Sequence, residues 1–216
     1  MSIKPEYLKL FVNATEKAAY GASKFIGKND KISADQAAVD YMRREFNKID
    51  MDGKIVIGEG EMDEAPMLFI GEKVGTKKGQ KLDIAVDPLE GTKFTANGEP
   101  NAFSVLAISE KGGLLSAPDT YMEKIAVGNG LPEGVVDLDE KVEVNLRELA
   151  KAKGVEISDL VTCVLDRPRH DEIIAKCREV GARIMLIGDG DVSGVMATSR
   201  EEAGVDMVLA WGADLE

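Results

Sequence analysis

The stretch Asp87-Pro88-Leu89-Glu90-Gly91-Thr92 places two carboxylates three residues apart, with a hydroxyl two residues further on. It follows Ile84-Ala85-Val86, an apolar run that reads as a strand buried in an α/β protein. Unit charges about 4 Å apart repel by roughly 4 kcal/mol at an effective dielectric near 20. Two acids at the mouth of such a strand therefore call for a positive charge between them. A second run, Lys54 to Gly58, reads as a strand and leads into Glu59, Glu61, Asp63 and Glu64. Asp35 stands near the start of a predicted helix.

Each group also has a plainer reading. Glu61, Asp63 and Glu64 fit a solvated face or the favourable charge at a helix N-terminus. Asp87 and Glu90 fit an Asx-type turn built with Pro88 and Gly91. If the acids do hold a cation, a donor set of oxygens without His or Cys points to Mg²⁺ or Mn²⁺ rather than Zn²⁺. His170 is the single histidine, which excludes His-rich zinc sites and leaves one residue for any His-dependent triad. It reads as a helix-start or packing residue. Asp189-Gly190-Asp191 opens like an EF-hand loop, but Arg200 stands at the twelfth position, where a bidentate Glu is needed.

The elements that position these groups are legible in outline. Leu8, Phe11, Val12, Ala18, Ala19, Ala22 and Ile26 recur at helical spacing, with Gly27 as the stop. Ser33 and Gln36 form a capping-box pair, predicting a helix with Asp35 in its first turn and Ala38, Tyr41, Met42, Phe46 and Ile49 on its buried face. Leu82–Asp87 predicts a strand. "AFSVLAIS" and "LLSAP" around "EKGG" predict a hairpin, and "YMEKIAVG" extends the antiparallel part. From Val142 the pattern becomes helix, strand "LVTCVL", helix, strand "RIMLI", a short helix after Asp191 and strand "DMVLAW". This alternation predicts an α/β layer. The expected division is 1–138, an α+β domain, and 139–216, a partial α/β domain.

Composition narrows the function classes. The 216 residues are 44% hydrophobic, carry a formal charge of −12 and have a pI near 4.7. Nucleic-acid and membrane partners are not expected, because the Lys/Arg stripes that bind phosphate backbones are missing. Anionic small molecules remain open through a local basic pocket or a cation. Cys163 and Cys177, outside any CxxC pair, predict a reducing cytoplasm, and "MSIKPEYLKLF" has no apolar signal-like run.

"DPLEGT", preceded by "VIGEGEMDEAPML", closely resembles the class II fructose-1,6-bisphosphatases of the GlpX type, within the lithium-sensitive sugar-phosphatase and inositol-monophosphatase superfamily. "GKNDKISAD", "APDTYMEKIAVG", "RPRHD" and "GDGDVSG" fit that family in the same order, so the resemblance runs from about Thr15 to Trp211. It implies a layered α/β sugar-phosphatase fold, with a mixed N-terminal sheet bearing the metals and an incomplete C-terminal layer binding substrate. It implies metal-dependent hydrolysis of fructose 1,6-bisphosphate in gluconeogenesis, with sedoheptulose 1,7-bisphosphate as a further substrate in cyanobacterial relatives, and a homo-oligomer. By position, Asp35, Glu59, Asp87, Glu90 and the terminal Glu216 would be metal ligands. Thr92 would hold the attacking water, Asp35 would help polarise it, and Lys31 lies close to this group. Glu90, Gly91, Thr92, Tyr121, Arg167, Pro168, Arg169, Asp189, Gly190 and Asp191 would contact substrate. An inositol- or nucleotide-phosphate phosphatase and a non-catalytic paralogue are the rival readings.

The ending "AWGADLE" departs from the family's glycine-rich turn, with Ala213, Asp214 and Leu215 where Gly, Ala and Pro are expected. The later part of the family fold is expected to be missing, Glu216 to be displaced, and hydrolysis by these residues to be weak or absent. An exposed apolar face near "DMVLAW" is expected to favour self-association.

Overall fold

The computed structural model describes residues 3–58, 67–115 and 121–212. The chain divides into two compact units, residues 1–118 and 119–216, a division that falls before residue 138.

In the first unit, α1 (Glu6–Ser23) and α2 (Lys31–Phe46) pack together over a sheet of β1 (Met51–Ile57), β2 (Lys73–Val74), β3 (Gln80–Glu90) and β4 (Phe103–Glu110). The strand order is β2-β1-β3-β4, with β1 and β3 parallel and the outer pairs antiparallel. Helix α1 buries Tyr7, Phe11, Ala14, Ala18 and Ala22, a stripe with helical spacing. Leu8 and Val12, read as part of that stripe, are 68% and 46% exposed. They lie about 100° round the helix from Tyr7 and Phe11. Gly21 sets the approach of the two helices: a Cβ there would lie 2.8 Å from both the Ala37 carbonyl oxygen and the Tyr41 ring.

Helix α2 begins earlier than the capping-box reading places it. Asp30 is the N-cap, accepting a hydrogen bond from Ser33 N at 3.0 Å. Gln36 does not reach back to Ser33; its amide donates to Asp40 at 2.8 Å. Asp35 therefore falls in the second turn. Ala38, Met42 and Phe46 are buried as expected, and Ile49 is buried just after the helix ends. Tyr41 is only half-buried, with its hydroxyl 2.6 Å from Lys24 Nζ and its ring edge-on to Tyr20.

Strand β3 continues past Asp87 to Glu90, and its register with β4 shifts between those residues. The turn at Glu110–Gly113 is present, but Leu114 and Leu115 are not strand, and Ser116–Pro118 lie outside the described residues. No second hairpin arm is therefore described. β4 pairs with β3 instead.

The second unit has β5 (Met122–Val127), α4 (Val142–Lys153), β6 (Val161–Leu165), α5 (Asp171–Glu179), β7 (Arg183–Ile187), α6 (Asp191–Thr198) and β8 (Met207–Gly212). The six-residue helix Thr92–Asn97 of the first unit is α3. Sheet order is β5-β8-β6-β7, with β8, β6 and β7 parallel and β5 antiparallel to β8. Strand β5 thus belongs here rather than to the first sheet. Alternation along the strands turns Val164 and Met207 towards a cluster with Leu146, Leu149 and Cys177. The neighbouring Cys163 and Val208 face a second cluster with Val195 and Ala197 of α6. Helices therefore cover both faces, and both units are of the α/β class.

The apolar face expected near "DMVLAW" is not exposed. Met207 to Ala210 are all buried, because β8 lies between β5 and β6 with packing on both sides. Only Trp211 is open, at 43%.

Candidate phosphate-hydrolysis site

In parallel α/β sheets, ligands gather outside the carboxyl ends of the strands. The site residues in the first unit follow that rule. Strands β1 and β3 run side by side, with Ile57 opposite Ala85. Asp87 lies two residues beyond Ala85, and Glu59 follows Ile57 by two residues in sequence. Glu59, with Glu61, Asp63 and Glu64, lies outside the described residues, as does Glu216.

Asp87 Oδ1 accepts from Leu89 N at 3.0 Å, so the Asx-type turn is real. It does not compete with a chemical role, since it fixes one carboxylate oxygen and so aims the group. Pro88 is accommodated where the β3–β4 register shifts. Glu90 is buried at 8% exposure. Gly91 then takes φ 78°, a left-handed conformation that turns the chain out of the strand, and a Cβ there would come within 2.9 Å of the Phe94 ring. Thr92 is the first residue of α3.

Lys31 and Asp35 reach this region by backbone ties. Gly27 N donates to Thr95 O at 2.9 Å and Asn29 N to Ala96 O at 2.7 Å, fastening the α1–α2 loop to α3. Helix α2 also packs against α3 and β3. Lys31 is exposed at the first position of α2. Asp35 is half-buried, and its Oδ1 is shut away from solvent without a hydrogen-bond partner among the described residues. Burial pushes its carboxyl up to about 6. A buried acid oxygen with no donor beside it suits a cation, and its hard oxygen character suits Mg²⁺ or Mn²⁺. Among the described residues, no three His, Cys, Asp or Glu side chains converge closely enough to hold an ion.

The second unit places its candidates at the carboxyl ends of β6, β7 and β8. Arg167, Pro168 and Arg169 follow β6; Pro168 opens a 3₁₀ turn through His170 that leads into α5. Asp189 and Gly190 follow β7, and Asp191 begins α6 after Gly190 at φ 71°. Arg167 Nη2 stands 3.6 Å from Asp189 Oδ1, joining the two loops. Asp191 is buried, and its charge helps burial raise the Cys163 thiol to about 11. Tyr121 is 55% exposed, and the Arg169 guanidinium lies 5.5 Å from its ring centre.

Two residues here carry more than the sequence reading gave them. Trp211 packs its ring edge-on against Tyr121 at 5.4 Å and accepts from Arg169 Nε through its carbonyl at 2.7 Å. His170 is fully buried between strand ends, as a packing residue should be, but both ring nitrogens are in hydrogen bonds. A lone tryptophan ending an apolar strand was the available signal.

Both units are α/β layers that carry their candidate residues around the ends of strands, acids and a hydroxyl in one, arginines with aspartates in the other. The family of bacterial fructose-1,6-bisphosphatases encoded by glpX matches residues 6–216, and the chain belongs to it. The class 2 fructose-1,6-bisphosphatase 1 of Escherichia coli K12 is 49% identical over 202 residues, covering 94% of this chain and 60% of that one. A Synechocystis protein named for both fructose 1,6- and sedoheptulose 1,7-bisphosphatase activity is 45% identical over 214 residues, 94% of this chain and 62% of that one. The chain thus spans about three fifths of the length of these relatives. An IMPase structure from Thermotoga maritima aligns at TM-score 0.41 and 15% identity, over 90% of this chain and 72% of that one.

Proposed function

We propose that this chain carries the hydrolytic and phosphate-gripping groups of a divalent-cation-dependent fructose-1,6-bisphosphatase. The observation that carries the reading is Asp35: a buried carboxylate oxygen, without a partner among the described residues, on the helix packed against β3 and α3, the elements that present Asp87, Glu90 and Thr92. A cation, Mg²⁺ or Mn²⁺, held by Asp35, Glu59, Asp87 and Glu90 would supply a lowered pKa for water and charge neutralisation at the leaving oxygen. The chain's own groups do the rest. Thr92 would hold the attacking water with its hydroxyl, and Asp35 would help polarise it. Glu90, Gly91 and Thr92 would contact the substrate.

In the second unit, Arg167 and Arg169 suit a phosphate because a guanidinium donates two parallel hydrogen bonds. Tyr121, Asp189 and Asp191 suit a sugar's face and hydroxyls. A sugar bisphosphate as substrate agrees with the printed names of the relatives.

The test is phosphate release by the 216-residue chain with Mg²⁺ or Mn²⁺, comparing fructose 1,6-bisphosphate, sedoheptulose 1,7-bisphosphate and inositol monophosphate. Even slow release should favour a sugar bisphosphate and fall in Thr92→Ala. Preference for inositol monophosphate, or release unchanged in Thr92→Ala, would overturn the reading.

A further inference from the structure

The parallel strands β6 and β8 share a short ladder, pairing Thr162 with Met207 and Cys163 with Val208. Beyond it a side chain takes over. His170 Nδ1 is 2.9 Å from the Leu165 carbonyl, and Trp211 N is 2.9 Å from His170 Nε2. A backbone N–H can only donate, so Nε2 is the acceptor and the ring proton sits on Nδ1, donating to Leu165. The imidazole thus stands in for the missing rungs and fixes the end of β8. The same Trp211 carbonyl that lies 3.1 Å from Nε2 accepts from Arg169 Nε, while the Trp211 ring backs Tyr121.

We propose that His170 is a positioning residue for anion binding: by holding the Trp211 backbone it sets the guanidinium of Arg169 and, through the indole, the ring of Tyr121. The inference rests on the reading of Arg169 as a phosphate grip. Arginine loses much side-chain freedom when it clamps an anion, and a guanidinium already held at Nε and over a ring loses less. The sequence neighbour therefore works through the end of a strand more than forty residues away.

Trp211 is the only tryptophan and His170 the only histidine, so each is its own reporter. Trp211 fluorescence, titrated with fructose 1,6-bisphosphate in Mg²⁺, reads affinity in the wild type, Arg169→Ala, His170→Gln and His170→Asn. Gln can place an oxygen near the Nε2 position to accept from Trp211, whereas Asn reaches only the Nδ1 position. His170→Gln should bind within about threefold of wild type and His170→Asn about tenfold more weakly, with no further loss when His170→Asn is added to Arg169→Ala. A purely structural histidine would make the two substitutions alike and their losses additive, and that result overturns the proposal. Wild-type affinity in Arg169→Ala, or no response from the wild type, instead removes the phosphate-grip reading and this inference with it. Should the Asn variant fail to fold, the His170→Gln titration and the ¹⁵N shifts of the single imidazole decide: weak binding by the Gln variant, or a proton on Nε2, counts against the proposal.

Discussion

Asp35 is the residue at which burial and chemistry pull against each other. Its carboxyl is pushed up to about 6 by burial, from an ordinary value of 3.8. The folded state therefore holds this proton more tightly than the unfolded chain does. The advantage is complete below about pH 4, is lost as the pH climbs to about 6, and leaves a constant cost above that. In chelator, Asp35→Asn should melt several degrees higher than wild type at pH 7 and show no gain at pH 4. An equal melting temperature for the two proteins at pH 7 would show that Asp35 is not penalised by burial. Thr92→Ala should lower kcat and leave cation affinity nearly unchanged, because a hydroxyl orients water without supplying charge; calorimetry with Mn²⁺ checks this. Arg169→Ala should raise KM for the bisphosphate by a factor equivalent to about 2–3 kcal/mol and spare a sugar monophosphate. Equal effects on both substrates would separate Arg169 from the second phosphate.

At the scale of elements, periodicity located helices and strands better than it located their ends. Helix α2 was legible from Ala38, Met42 and Phe46, but Ser33 offered a capping pattern one turn too late. Asp30 won because Ser33 N sits within reach of its carboxylate. Nothing in the local pattern could show that β5 pairs with β8, since that partner lies some eighty residues away. The outward position of Leu8 and Val12 was hidden for a related reason: α1 has apolar residues on two faces, and only the tertiary packing selects one. That packing rests on Gly21. Gly21→Val should destabilise the first unit by about 1–3 kcal/mol, the range for overpacking a close contact. Denaturant unfolding measures it, and an unchanged midpoint would mean α1 and α2 can part without cost.

For the molecule as a whole, the motifs were legible because charged and hydroxyl residues stand out beside apolar strands: Asp87, Glu90 and Thr92 in one unit, Arg167, Arg169 and Asp191 in the other. What they did not reveal was the support behind them. Trp211 looked like one more apolar residue of "DMVLAW", and the expected exposed face there does not exist because β8 is an inner strand.

The central claim is that carboxylates at the end of β3, with a bound divalent cation, hydrolyse a sugar bisphosphate. The most direct measurement is phosphate release from fructose 1,6-bisphosphate at saturating Mn²⁺ by the wild type and Asp87→Asn, with and without chelator. The account predicts release that chelator abolishes and that Asp87→Asn lowers by about a hundredfold or more, since losing an anionic ligand weakens the cation and misplaces the water. Near-wild-type release by Asp87→Asn, or release that persists in chelator, would contradict it.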